Sequence, residues 1–291
     1  MTETTGTTSS TTTAPRSAPA PSRSLPGRGT ATRSLVALDI DGTLLGADRV
    51  VPAVTVDAVL DARRSGHHVV LASGRSLVGV LPVARALGFD QGWVVASNGA
   101  VVARAGDGLP DGYRLEKMHT FDVEPVIRLA RAFIPGIQVG VEEIGWGYRV
   151  NRLFERGLVN GQQRRASDTE LWNVPAPRVI LRAEGALALT EPLRDLGVTA
   201  SPAGPDWLDV TPRYLSKATA LERVRERIGV DPRQTVAVGD GVNDLEMLTW
   251  AARGVAMGHA PAAVIDAADE VTGTIEEHGV VAVLRALGGS N

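Results

Sequence analysis

From Ser34 onward, short aliphatic runs alternate with amphipathic stretches, and each run ends on polar residues. LVALDI (35–40) is followed by AVTVDAVLDARRS (53–65), and HVVLAS (68–73) by SLVGVLPVARAL (76–87); the run WVVASNGAVVA (93–103) comes next. Pro52 and Gly66 delimit the first helix. Gly88 stops the second, which Pro82 is expected to bend or break. Continuous apolar runs separated by helices of this length are buried strands joined by crossovers, so the expected core is a parallel sheet.

The same grammar returns late in the chain. KATALERVRERIG (217–229) carries an apolar stripe of Leu221, Val224 and Ile228 and stops at Gly229. QTVAVGD (234–240) and GVAMG (254–258) read as strands, and NDLEMLTWAAR (243–253), PAAVIDAA (261–268) and EEHGVVAVLRAL (276–287) as helices. Between them the spacing is less regular and richer in glycine and tryptophan. HTFDVEPVIRLARAF (119–133) and LALTEPLRDLG (187–197) read as helices there, and IQVGVEEI, GYRVN and PRVILRAEG as strands. The expected architecture is therefore α/β: a doubly wound parallel-sheet core from 34–100 and 207–291, interrupted by an inserted α+β domain at 101–206. Residues 1–33, rich in Thr, Ser, Pro and Ala with one Leu, cannot bury enough apolar surface to order themselves and read as a disordered tail.

Composition removes several function classes. Of the 291 residues, 44% are hydrophobic and 22% charged, as in ordinary globular proteins, and the net charge of −3 offers no electrostatic footing for nucleic acid or an anionic membrane. No cysteine is present, which excludes disulfides, thiolate catalysis and Cys-held metals. No apolar run reaches the roughly 18 residues of a spanning helix. The tail lacks the apolar segment of a secretory signal, so the chain is expected in the cytoplasm; an Arg/Ser-rich transit peptide is the alternative.

In an open parallel sheet, ligands bind outside the carboxyl ends of the strands. Those ends here are Asp39-Ile40-Asp41, Ser73-Gly74-Arg75, Ser97-Asn98-Gly99 and Gly239-Asp240-Gly241-Val242-Asn243-Asp244. Lys217 heads the apolar stripe of its helix, four residues before Leu221, with Ser216 as N-cap, and is expected to point inward; a snorkelling surface lysine is the alternative. Hard oxygen ligands without His or Cys suit Mg²⁺, a lysine offsets crowded carboxylates, and a carboxylate can attack phosphorus. Together they favour phosphoryl transfer.

These residues resemble the haloacid dehalogenase superfamily, specifically its Cof-type phosphatases with a large cap inserted between the second and third motifs. DIDGT (39–43), LASGR (71–75), SKATAL (216–221) and GDGVNDLEML (239–248) appear in the family's order, and the resemblance runs from Leu35 to the C-terminus. It implies a Rossmann-like core, a substrate-selecting cap at 101–206, Mg²⁺ as cofactor and a small phosphorylated metabolite, such as a sugar phosphate or phosphorylated cofactor, as substrate. Residue by residue it implies Asp39 as nucleophile and metal ligand. Asp41 is implied as the acid and base whose backbone carbonyl binds the metal, Ser73 as a phosphoryl contact and Lys217 as the bridge between nucleophile and phosphate. Asp240 and Asp244 complete the metal ligands. Thr43, Gly74, Arg75, Asn98 and Asn243 are expected about the substrate.

Two positions depart from the family pattern. Tyr214-Leu215 replaces a Gly-hydrophobic pair, and AMGHA replaces AMGNA, leaving His259 as either a pH-sensitive substrate contact or a tolerated loop residue. His67-His68 lack partners at metal-ligand spacing, Arg164-Arg165 read as a solvated face, and Gly145-Trp146-Gly147-Tyr148 as aromatic packing or a specificity loop. A phosphomutase is the enzymatic alternative. A phosphoacceptor signalling domain is the remote one, because such modules lack both the inserted domain and the second aspartate.

Overall fold

The computed structural model describes residues 1–2 and 33–288; the expected disordered tail lies outside them save for residues 1, 2 and 33. The first part of the chain forms β1 (Leu35–Leu38), α1 (Ala53–Arg64), β2 (His68–Ala72), α2 (Leu77–Ala86), β3 (Gly92–Ala96), β4 (Val101–Ala105) and β5 (Tyr113–Met118). The middle forms α3 (Glu124–Phe133), β6 (Gln138–Glu143), β7 (Gly147–Val150), β8 (Gln162–Arg165), α4 (Asp168–Trp172), β9 (Val179–Arg182), α5 (Thr190–Asp195), β10 (Val198–Gly204) and β11 (Trp207–Pro212). The last part forms α6 (Lys217–Ile228), β12 (Thr235–Gly239), α7 (Leu245–Trp250), β13 (Arg253–Ala256), α8 (Ala262–Ala267), β14 (Glu270–Val271) and α9 (Gly279–Gly288).

Among the described residues, eight strands form one sheet in the order β14-β13-β12-β1-β2-β3-β4-β5. β1 lies between β12 and β2, parallel to both. Its alternation sorts the core into two layers, since successive side chains in a strand face opposite ways. Val36 and Leu38 join the layer with Val59 of α1, Val80 and Ala84 of α2 and Leu284 of α9. Leu35 and Ala37 join Leu221 and Val224 of α6, Met247 of α7 and Val264 of α8. The result is a Rossmann-like doubly wound α/β core, as expected. The second sheet, β10-β11-β9-β6-β7-β8, packs Val139, Val141, Leu181 and Val210 against Val126 and Ile127 of α3 and Leu193 of α5. It is the inserted α+β layer.

Five local expectations change. The run 93–103 is two strands: Ser97, Asn98 and Gly99 all take positive φ, and the chain reverses so that β4 returns antiparallel to β3. β4 and β5 thereby extend the first sheet through residues 101–118, while β11 at 207–212 belongs to the second. The sheets part after residues 118 and 212, where 100 and 206 were expected, because strand pairing and not chain continuity assigns these segments. α2 runs through Pro82 without breaking; its buried Val80, Val83 and Ala84 hold it where the proline removes one backbone donor. The helix expected over 119–133 begins only at Glu124, and the one over 187–197 divides into a 3-10 turn at Ala186–Leu189 and α5.

Candidate active site

Aspartate 39 leaves β1 at the carboxyl edge of the sheet, where its backbone N–H donates to Val238 O of β12 at 3.0 Å. The pairing puts the ends of β1 and β12 side by side, and with them two of the sequence's acidic groups of residues. After Asp41 the chain doubles back: Gly42 N donates to Leu45 O at 2.9 Å and Leu44 N to Ile40 O at 2.9 Å. Gly42 sits at φ +84°, and a Cβ there would lie 2.1 Å from the Asp240 carboxylate, so this position requires glycine on both counts. Thr43 is buried in the same turn and donates to Asp240 Oδ1 at 3.0 Å; it supports the acidic loop and does not line the cavity.

Lys217, at the first position of α6, is wholly buried. Ser216 caps the helix, its Oγ accepting from Thr219 N, and the lysine extends inward from that fixed start. Its Nζ contacts Asp39 Oδ1 and Asp244 Oδ1, each at 2.5 Å. Lys217 thus bridges two carboxylates, one of them the expected nucleophile. Asp244 is equally buried, and its other oxygen accepts from Asp240 N at 3.1 Å and Gly241 N at 2.9 Å, which folds the GDGVND turn around it. Burial would depress the Lys217 ammonium, but Asp244 and Asp39 outweigh it and hold its pKa above the ordinary lysine value. Burial pushes the Asp39 carboxyl well above its usual range, reinforced by Asp244 and opposed by Lys217. Burial, then Asp244, raise Asp240 as well.

Asp39, Asp240 and Asp244 each offer a carboxylate oxygen within 4.8 Å of the others. Three carboxylates facing one lysine leave uncompensated negative charge in a largely desolvated place; burial first, and the neighbouring carboxylate Asp244 second, raise the pKa values of Asp39 and Asp240. Oxygen-only donors at this spacing fit a hard divalent cation. Asp41 lies outside this cluster. Its carboxylate, more exposed, receives Arg75 Nε at 2.7 Å and Arg75 Nη2 at 2.5 Å. Arg75, expected at the substrate, lines the cavity and makes this bidentate pair there. His259 lies 3.8 Å from Asp240 Oδ2, while Tyr214, at φ +61°, is three-quarters exposed and stacked under Arg213.

The carboxylates open onto a cavity of about 310 Å³ lined by Asp39, Asp41, Ser73, Gly74, Asn98 and Asn243 at one end. Ser73 N donates to Val95 O of β3 at 2.9 Å, and Ser73 Oγ accepts from Arg75 N at 3.1 Å. Asn243 Nδ2 donates to Asn98 Oδ1 at 3.0 Å, tying the loops after β3 and β12 together. The second sheet closes the other end with Tyr148, Arg178, Ile180, Trp207 and Asp209. Sequence reasoning missed Arg178 and Asp209. An arginine heading an apolar strand and an aspartate flanked by Leu208 and Val210 were the available signals, and both are common in strands that bind nothing. Tyr148 is buried and lines the cavity, whereas Trp146 is exposed and does not line it. Arg164 is half-exposed beside Glu143 and Glu170, on a solvated face.

Comparison with known proteins agrees with this geometry. A family model described as haloacid dehalogenase-like hydrolase matches residues 36–129 and 179–284. The phosphoglycolate phosphatase of Halobacterium salinarum is 31% identical over 250 residues, spanning 84% of this chain and 92% of its own length. The 5-amino-6-(5-phospho-D-ribitylamino)uracil phosphatase YcsE of Bacillus subtilis is 25% identical over 264 residues, 86% and 94% of the two chains. A solved phosphatase of the haloalkanoate enzyme superfamily from Bacteroides thetaiotaomicron, 29% identical, superposes with a TM-score of 0.74 over 92% of this chain and 99% of its own.

Proposed function

The chain belongs to the haloacid dehalogenase-like hydrolases as a Cof-type phosphoric monoester hydrolase, and from that premise we propose a Mg²⁺-dependent phosphatase that removes phosphate from a small metabolite through an aspartyl-phosphate on Asp39. The observation that carries the reading is Lys217 Nζ, wholly buried and 2.5 Å from both Asp39 and Asp244. It holds the Asp39 carboxylate in one orientation at the cavity's end, which is what a carboxylate nucleophile needs.

Asp39, Asp240 and Asp244 would hold the cation, with the Asp41 carbonyl. When bound, Mg²⁺ supplies positive charge that offsets the carboxylates and the phosphoryl oxygens. The chain's own groups carry the chemistry. An Asp39 carboxylate oxygen attacks phosphorus, the bond to the ester oxygen breaks, and Asp41, once it has taken up a proton from solvent, gives it to that oxygen. Asp41 then takes a proton from water, whose oxygen attacks the same phosphorus; the bond to Asp39 breaks and inorganic phosphate leaves. Arg75 pairs with both Asp41 oxygens, so proton delivery requires Asp41 to turn from the guanidinium to the leaving oxygen. Ser73 Oγ and the Gly74 N–H hold phosphoryl oxygens, and Asn243 is steadied for the same task by Asn98.

The second sheet with its helices, residues 119–212, acts as the cap. A cavity of about 310 Å³ suits a compact phosphate ester such as a sugar phosphate. The relatives differ in substrate by their names, one acting on phosphoglycolate and one on a ribityl phosphate. Purified protein is expected to release inorganic phosphate from an aryl phosphate with Mg²⁺, and Asp39→Asn to reduce kcat at least about a thousandfold. Undiminished turnover in that variant refutes the mechanism. Isomerised sugar phosphate without net phosphate release would favour the mutase instead.

A further inference from the structure

The mechanism leaves one buried cluster unused. Arg178, Glu142, Asp209 and Tyr148 come from four strands or strand ends of the second sheet, and all four are buried. The Arg178 guanidinium lies 3.2 Å from Glu142 Oε2, 3.1 Å from Asp209 Oδ2 and in hydrogen-bond contact with the Tyr148 hydroxyl. A cluster that only stabilised its own sheet would end there. This one reaches out of it: Arg178 Nη1 donates to the carbonyl of Gly74, in the loop that bears Ser73.

The other acidic arms reach the neighbouring loop. Ser97 Oγ donates to Glu142 Oε2 at 2.7 Å, and Asn98 Nδ2 donates to Asp209 Oδ2 at 3.4 Å. Ser97 and Asn98 stand at φ +51° and +50°, a left-handed conformation that is strained for non-glycine residues and persists only where the surroundings impose it. The same loop holds the phosphoryl end of the cavity together. Ser97 N donates to Arg75 O at 2.8 Å, Asn98 N to Ser73 O at 3.1 Å, and Asn98 Oδ1 accepts from Asn243.

We propose that Arg178, with Glu142 and Asp209, positions the catalytic loops: it seats the second sheet on the strained Ser97–Asn98 turn and on the Gly74 carbonyl, and so sets Ser73, Gly74 and Asn243 for phosphoryl transfer. Arg178 is a positioning residue in this account, acting through Gly74 and Asn98. Substrate chemistry is thereby tied to the seating of the second sheet, and an incorrectly seated sheet leaves a distorted phosphate loop. The proposal rests on the phosphatase reading above.

The test compares Arg178→Met, Arg178→Lys and Ser97→Ala by Mg²⁺-dependent aryl phosphate turnover per folded molecule and by competitive inhibition with inorganic phosphate. Arg178→Met is expected to lower kcat about tenfold to a hundredfold, the cost of a displacement near 1 Å in a positioned site, and to weaken phosphate inhibition. Arg178→Lys, which keeps one donor for the Gly74 carbonyl, recovers part of the loss, and Ser97→Ala lowers kcat severalfold in the same direction. If the folded variants lose melting temperature but turn over and bind phosphate within about twofold of the parent, the cluster only stabilises the fold and the proposal is wrong. Should Arg178→Met fail to fold, Ser97→Ala decides. A crystal structure of the folded variant separates this from failure of the phosphatase reading. Even if the parent proves inactive, the 97–98 turn must relax from positive φ and the Asn98–Asn243 contact must lengthen; an unmoved turn overturns the proposal.

Discussion

Lys217 is the side chain on which the electrostatics of the site turn. It is buried between carboxylates that would otherwise face each other without compensation. Removing one member of a buried ion cluster commonly costs about 3–5 kcal/mol, because the partners stay desolvated and unpaired. Lys217→Met should approach that loss with a chelator present, tempered by proton uptake on Asp39. It should lose less with Mg²⁺, where the cation replaces part of the missing charge. Thermal melts of the variant with EDTA and with Mg²⁺ check this, and equal losses in both would mean that lysine and cation do not share the carboxylates. Lys217 is legible in the sequence, since its place four residues before Leu221 on an apolar stripe turns it inward. The capture of Asp41 by Arg75 is not. That pair joins the ends of β1 and β2, and no periodicity reports which of two neighbouring charges a guanidinium will choose.

Two glycines at the ends of elements separate backbone conformation from packing. Gly229 is the left-handed cap of α6 at φ +71°, and a Cβ added there would meet no neighbouring atom within 4 Å. At Gly99, φ +100°, a Cβ would lie 2.2 Å from Ser216 O. Gly229→Ala should cost about 1 kcal/mol, the left-handed penalty alone, and leave kcat unchanged. Gly99→Ala should cost at least about 2–3 kcal/mol and also lower activity, because the backbone it displaces carries Ser216 and therefore the start of α6 and Lys217. Chemical denaturation with parallel assays distinguishes them; equal losses of stability and activity would deny the coupling between the β3 turn and α6. The strands that end on catalytic residues were legible, because buried parallel strands are continuous apolar runs. β5, β8, β10 and β11 were not. YRLEKM, QQRR and VTASPAG are strands because a neighbour pairs with them, and they carry little signal of their own.

For the molecule as a whole, the acidic site makes stability depend on pH and metal together. Asp39 and Asp240 have folded pKa values raised above their ordinary ones, chiefly by burial. Their stabilising contribution is complete below the ordinary carboxylate range, near pH 4, and is lost as pH rises through the raised values. A divalent cation competes with those protons, so its effect runs the other way. The stabilisation produced by Mg²⁺, followed as a rise in melting temperature, should be small at pH 5 and grow toward pH 8, reaching about 2.7 kcal/mol of free energy at a hundredfold excess over Kd. A gain independent of pH would place the cation away from Asp39 and Asp240. Among the described residues no helix is long and apolar enough to cross a membrane, in keeping with the modest hydrophobicity of the chain.

The order of the motifs, the strand ends they occupy and the chemistry they favour could all be read along the chain, since strand period, helix stops and hard oxygen ligands are local properties of sequence. What sits opposite what could not. Arg178 meets the Gly74 carbonyl across 104 residues, and Asn98 meets Asp209 across 111. Such contacts exist only once two sheets have packed, and a buried arginine or aspartate looks, in sequence, like any polar residue within a strand. The chain's own letters therefore announced the phosphoryl chemistry of Asp39, Lys217, Asp240 and Asp244. Folding alone supplied the partners that hold those groups and the cavity in which they work, because burial, pairing and the strain of the Ser97–Asn98 turn arise from neighbours that are distant along the chain.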